Sequence, residues 1–115
     1  MRHYEWNRVE PEQMNARITR KVLHGANVTI ARIELQKDAV VPEHSHVNEQ
    51  VTTVERGALK FVSGGRDHIV RAGESLVIPP NEPHMVEALE DTVVVDVFSP
   101  AREDWIRGDD AYLRK

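Results

Sequence analysis

Glycine and proline divide this chain into short runs of β-favouring residues, and that punctuation is what most limits the folds open to it. Gly25, Gly57, Gly64-Gly65, Gly73 and Pro79-Pro80 separate Val28 to Leu35, Gln50 to Glu55, Leu59 to Ser63, His68 to Arg71, Ser75 to Ile78, His84 to Ala88 and Thr92 to Phe98. Most of these runs are rich in Val, Ile, Thr or Phe, which suit a pleated, half-buried surface. Ser63-Gly64-Gly65-Arg66 reads as a two-residue hairpin turn, because glycine reaches positive φ without steric cost. Helix is scarce. Pro11 to Asn15 is expected to make one turn, and Pro100 to Ile106 a short helix with Ser99 as N-cap and Pro100 in its first position. The prediction is therefore an all-β fold in which about seven antiparallel strands close into one sandwich or barrel, removing exposed sheet edges.

Size and composition narrow the function. A chain of 115 residues with 40% hydrophobic and 30% charged residues is expected to form one domain over residues 1–115. Without cysteine it has no disulfide framework, thiolate metal site or cysteine nucleophile. No apolar run approaches the roughly 20 residues of a membrane span, and Met1 to Val9 lacks the apolar centre of a secretory signal, so a cytoplasmic protein without membrane contact is expected. The net charge of −4, with acids and bases intermixed, offers no basic stripe for nucleic acid.

The histidines carry the first chemical signal. His44 and His46 are two apart, and in a strand that spacing puts both rings on one face, where two imidazoles can reach one ion. Continued extended geometry would point Gln50 the same way and Glu49 oppositely; a bulge would reverse the choice and make Glu49 the ligand. His84, after the rigid Pro79 to Pro83 turn, is the fourth candidate. Neutral imidazole suits Zn, Fe, Ni, Cu and Mn alike, so the donors imply one divalent transition metal ion of open identity.

From His44 to Gly57 the chain reads His-x-His-x-x-x-Gln-x-x-x-x-x-x-Gly, and from Gly73 to His84 Gly-x-x-x-x-x-Pro-x-Asn-x-x-His. In order and spacing this pair resembles the two motifs of the cupin superfamily, over roughly residues 28–98. The resemblance implies a small cupin-type antiparallel β-barrel, jelly-roll-like, with the metal inside and a homodimeric assembly, which would also cover the terminal aromatics. Three positions depart from the family pattern. Gln50 stands where Glu is usual, Asp38 where the first motif usually begins with Gly, and Ala88 where Asn usually closes the second. With His44, His46, Gln50 and His84 as ligands, all neutral, a divalent ion's charge stays uncompensated by protein and favours an anionic substrate such as a carboxylate.

In Thr92 to Phe98, Asp96 interrupts an apolar run in a strand expected to be buried on both faces, and a lone buried carboxylate is costly. It is either in a structural ion pair with Arg102 or a general acid or base facing the pocket. Phe98, on the same face, is core or an apolar wall for a sugar ring. The stretch from Asp96 to Trp105 also resembles the end of one cupin group, the KdgF-like pectin and alginate degradation proteins. That resemblance implicates Asp96, Phe98 and Arg102 in binding and converting 4,5-unsaturated monouronates to linear ketonised sugars. Two other functions compete: a metal-dependent cupin oxygenase, and a non-catalytic sugar- or acid-binding module. The remaining histidines, His3, His24 and His68, are expected to be solvent-exposed or hydrogen-bonded, and Arg17 to Lys21 to form a strand with a solvated face.

Overall fold

A computed structural model describes residues 1–114. The strands are β1 (Glu12–Asn15), β2 (Ile18–His24), β3 (Thr29–Leu35), β4 (Val40–His44), β5 (Glu49–Arg56), β6 (Ala58–Ser63), β7 (Arg66–Arg71), β8 (Ser75–Ile78), β9 (His84–Ala88) and β10 (Thr92–Ser99). A short helix, α1 (Glu103–Arg107), and a 3-10 turn, Ala111–Arg114, follow them, and another 3-10 turn spans Trp6–Arg8. Among the described residues no helix is long and apolar enough to cross a membrane.

The strands form two antiparallel sheets, β1-β2-β3-β10-β5-β8 and β4-β9-β6-β7. Their inner faces share one core, in which Ile33 and Val94 of the larger sheet join Val41, Phe61 and Val86 of the smaller. The fold is thus all-β and jelly-roll-like, as expected, but the strands do not close into a continuous ring. Four edges remain at β1, β8, β4 and β7. On β7 the edge is charged, with Arg66, Asp67, His68 and Arg71 exposed, which discourages pairing with another chain.

All seven expected runs are strands, with ends moved by at most two residues. Ser63 pairs with Arg66 across Gly64 (φ 57°) and Gly65 (φ 74°), as a tight hairpin with two positive-φ residues requires. Three strands lie outside those runs. Glu12–Asn15 is extended rather than a helical turn, because it pairs with β2 and buries Met14. In β2 the alternation Ile18, Arg20, Val22 turns inward, so Arg20 is 3% exposed and not on a solvated face. β4 carries Pro42, tolerated because β4 is an edge strand with an irregular register between Val41 and His44.

The end of the chain also differs. Ser99 closes β10 and donates to Asn27 O at 3.2 Å instead of capping a helix. The helix begins at Glu103 with Arg102 at its N-cap and ends at Gly108 (φ 84°). β10 is fully buried on one face only, through Val94, Asp96 and Phe98, while Val95 and Val97 on the other are half-buried.

Two of the motif departures have local explanations. Asp38 has φ 74°, a left-handed conformation that Asp tolerates better than most residues, so it serves a backbone position suited to Gly. Ala88 is fully buried with both backbone groups paired, its N–H to Ala39 O and its carbonyl to Asp38 N, so a polar side chain there would need its own buried partners.

Candidate functional site

His44 is the last residue of β4 and pairs across the ladder with His84, the first residue of β9. β4 ends there, so His46 lies in the loop that crosses to the larger sheet, and the expected single extended run from His44 to Gln50 does not exist. Gln50 nevertheless arrives at the same place, from β5, with 5% exposure, while Glu49 faces solvent. The crossing loop is pinned by Asn48, a buried residue that sequence reading missed. Its Nδ2 donates to the carbonyls of Pro100 (2.6 Å) and Ala101 (3.2 Å), and its own carbonyl receives His46 Nδ1 (3.0 Å).

One ring nitrogen from each of His44, His46 and His84 lies within 4.8 Å of the others, so the triad can hold a metal ion. Hydrogen bonding decides which nitrogens are free. Nδ1 of His44 meets Pro42 O (2.8 Å), Nδ1 of His46 meets Asn48 O, and Nδ1 of His84 meets Glu82 O (2.8 Å). A carbonyl only accepts, so each Nδ1 carries the proton and each Nε2 keeps a lone pair, the arrangement that orients ligating imidazoles. Burial pushes the pKa of His44 and of His46 down to about 4, and that of His84 down as well, which keeps all three rings neutral at pH 7.

Gln50 extends the donor set. Its Nε2 donates to Thr52 Oγ1 (2.9 Å), whose hydroxyl donates to Asp96 Oδ1 (2.5 Å). That chain turns Gln50 Oε1 toward His46 Nε2, 3.0 Å away. With the proton on Nδ1, two acceptors then face each other without a hydrogen between them. A cation drawing on both lone pairs relieves that opposition, so the donor set fits a divalent metal.

The remaining expected residues line the same cavity, of about 50 Å³, with His44, His84 and Gln50: Asp96, Phe98 and Arg102. Asp96 is 7% exposed, and burial raises its pKa to about 6 despite the Thr52 hydrogen bond and the nearby Arg102 charge. The ion pair considered for Asp96 and Arg102 does not form. Arg102 donates instead to both carboxylate oxygens of Asp104 (2.9 and 2.7 Å) and to the Tyr112 hydroxyl. Its guanidinium also lies over the rings of Phe98 (4.7 Å) and Trp105 (4.3 Å). Phe98 meets His46 edge-on at 5.6 Å, so it is at once core and pocket wall. His24 is hydrogen-bonded to Thr29 (2.8 Å), while His3 and His68 are exposed, as expected.

Arg20, Thr52, Trp105 and Tyr112 complete the surroundings and were not assigned to a site from sequence. For Arg20 and Thr52 a signal existed: each sits at even spacing from inward residues, Arg20 from Ile18 and Thr52 from Gln50. Nothing local marks Tyr112.

The cupin domain model matches residues 31–98, more than half of the chain. The chain is 29% identical over 98 residues to the pectin degradation protein KdgF of Dickeya dadantii (strain 3937), covering 83% of this chain and 89% of that protein. It is also similar to the structure of KdgF from Halomonas sp. (27% identity, TM-score 0.79, 86% of this chain and 94% of that one). An RmlC-like cupin from Shewanella frigidimarina is as similar (27% identity, TM-score 0.83, 91% and 96% covered). With the cupin domain model matched over residues 31–98 and this likeness to KdgF, the chain belongs to the cupin family.

Proposed function

We propose that this cupin converts 4,5-unsaturated monouronates to linear ketonised sugars. The observation that carries the reading is the convergence on one cavity of the His44 and His84 imidazoles, the Gln50 amide, a buried carboxyl and Arg102, with His46 completing the histidine triad beside it, in a chain similar to KdgF over most of its length. His44, His46, His84 and Gln50 would hold a divalent ion, which when bound supplies positive charge for a substrate carboxylate. The protein's own groups do the rest. Arg102, fixed by Asp104, reads the same carboxylate, and Phe98 is an apolar wall beside the sugar ring.

In such a substrate the ring oxygen is attached to C5 of a C4=C5 double bond. Loss of the anomeric hydroxyl proton forms the C1 carbonyl and breaks the bond from C1 to the ring oxygen. The released electron pair stays on the C5 enolate. Protonation at C4 then makes the C5 ketone, so atoms balance and no oxidant is needed. Among the described residues Asp96 is the one carboxyl lining the cavity, and it is the group we assign to both transfers, taking the proton from O1 and returning one to C4.

The test is incubation of metal-replete protein with unsaturated monouronates from pectin and from alginate, following loss of the conjugated chromophore against a protein-free control. Loss well above the control with at least one substrate is expected; control rates with both would contradict the reading. Elemental analysis should give one divalent ion per chain, absent from the His44→Ala/His84→Ala variant.

A further inference from the structure

Arg20 lines the same cavity and has no part in the proposed conversion. It is 3% exposed, and the buried side-chain nitrogens without a hydrogen-bond partner among the described residues are both its own, Nε and Nη1. Only Nη2 is engaged, by Asp110 Oδ2 (2.8 Å) and Glu12 Oε2 (3.1 Å). Its guanidinium stacks 4.4 Å from the Trp105 ring, the ring that also carries Arg102. Buried N–H groups are costly to leave unpaired, and a half-used guanidinium beside a cavity is suited to an incoming anion.

The cavity as it stands, about 50 Å³, has room for a few water molecules and not for a sugar ring. Something must therefore leave for a uronate to enter. Most of the wall belongs to hydrogen-bonded strands, but Tyr112 and Leu113 come from the four-residue 3-10 turn packed against β1 and β4. Tyr112 stacks on the His44 ring at 4.6 Å and 28°, and its hydroxyl accepts from Arg102 and from Trp105 Nε1 (3.2 Å). Asp110, immediately before the turn, puts a carboxylate on Arg20. This segment thus places a ring against a candidate ligand imidazole, a hydroxyl on Arg102 and a carboxylate on Arg20, contacts that must be given up before a ring-form uronate can bring its one carboxylate to either arginine.

We propose that Arg20 is a second anion-binding residue of the site, occupied in the closed state by Asp110, and that Asp110–Leu113 is a plug that substrate displaces. The choice of a carboxylated ring as the incoming group rests on the uronate reading above. Displacement leaves no charge stranded: Asp110 keeps Arg114 (3.1 Å) as its counter-ion, and Arg20 exchanges one carboxylate for another.

The experiment is calorimetric titration of D-galacturonate, a saturated and unreactive uronate, into metal-replete wild type, Asp110→Asn and Arg20→Gln, with uncharged D-galactose as the control sugar. Because it reads binding, failure of the conversion assay leaves it intact. Removing the internal competitor should tighten galacturonate binding by Asp110→Asn about 3- to 30-fold, since less of the protein is held closed. Arg20→Gln should weaken it about 10- to 100-fold, with galactose unaffected by that substitution. Amide hydrogen exchange of wild type supplies a measurement independent of folding of the variants: the Leu113 N–H, bonded to Asp110 O at 3.0 Å, should exchange faster when galacturonate is bound. Unchanged or weaker binding by Asp110→Asn, or unchanged or slower exchange at Leu113, would overturn the plug; wild-type affinity in Arg20→Gln would overturn the anion-binding role.

Discussion

Asp96 stands directly across the β5–β10 ladder from Thr52, and the Thr52 hydroxyl donates to its carboxylate at 2.5 Å. Two residues along, Gln50 stands opposite Phe98, so both pairs face inward. Because the Thr52 proton goes to Asp96, its oxygen is left to accept the Gln50 amide (2.9 Å), and this turns Oε1 toward the histidines. Orientation of a candidate metal ligand is thereby coupled to the charge on the candidate proton-transfer group.

Thr52→Val tests that coupling while keeping the buried shape. Without the hydroxyl, nothing holds the Gln50 amide in its present sense, and loss of such a supporting hydrogen bond typically costs about 10- to 100-fold in metal affinity. Competition with a chromophoric chelator measures it, and wild-type affinity would show that Thr52 does not position Gln50.

Gln50→Glu adds one negative charge among three neutral imidazoles. Metal binding should hold or tighten, while galacturonate binding weakens by about 5- to 150-fold, as expected for on the order of 1 to 3 kcal/mol of lost attraction at low local dielectric. Paired titrations of metal and uronate into both proteins give the two signs separately. Equal or tighter uronate binding by the variant would refute the charge argument.

In metal-free protein, the site histidines and Asp96 respond to pH with opposite signs. The folded pKa of about 4 for His44 and for His46 lies below their ordinary 6.5, so native protein binds fewer protons than unfolded protein between these values and gains stability as pH rises through that window. Asp96 has the other sign. Its folded pKa of about 6 lies above 3.8, so its contribution is lost as pH rises from about 4 to about 6. Subtracting Asp96→Asn from wild type isolates the carboxyl: the variant's advantage in urea unfolding should grow over that window and level off above pH 6 at on the order of 2 to 3 kcal/mol. A difference that does not vary with pH would mean that burial does not disfavour the carboxylate.

Gly57 turns β5 into β6 at φ 90°, where an added Cβ would lie 2.4 Å from Asp91 O and from Thr92 Oγ1. Gly57→Ala is therefore expected to destabilise by on the order of 2 to 4 kcal/mol, combining strain with a clash against backbone. Chemical denaturation checks this, and a loss below about half a kcal/mol, the usual range for surface changes, would contradict it.

What could be read in advance follows from which forces act locally. Turn chemistry placed the Gly64-Gly65 hairpin, and β-branched content placed the strands around it. β1 reads as a helical turn and β2 as a strand with a solvated face because Gln13, Arg20 and Lys21 are polar, and only their pairing partners and the pocket beyond show otherwise. Parity selected Gln50 over Glu49 for a reason the fold does not obey: His44, His46 and Gln50 sit on a strand end, a loop and a strand of the opposite sheet. The alternation still held within β5, where an exposed Glu49 leaves Gln50 inside. Arg102 was legible as a pocket residue but its partner was not, since Asp104 is reached only once α1 folds back. Tyr112 and Asp110 could not be found at all, because their contacts with His44 and Arg20 span most of the chain.

The most direct test is the initial rate of unsaturated-monouronate conversion by Asp96→Asn, measured on protein shown to hold the same metal content and to bind galacturonate as wild type does. A fall of about 10²- to 10⁴-fold, the usual worth of a positioned proton-transfer group, is the predicted result. A wild-type rate in that variant would contradict Asp96 as the residue that moves the proton.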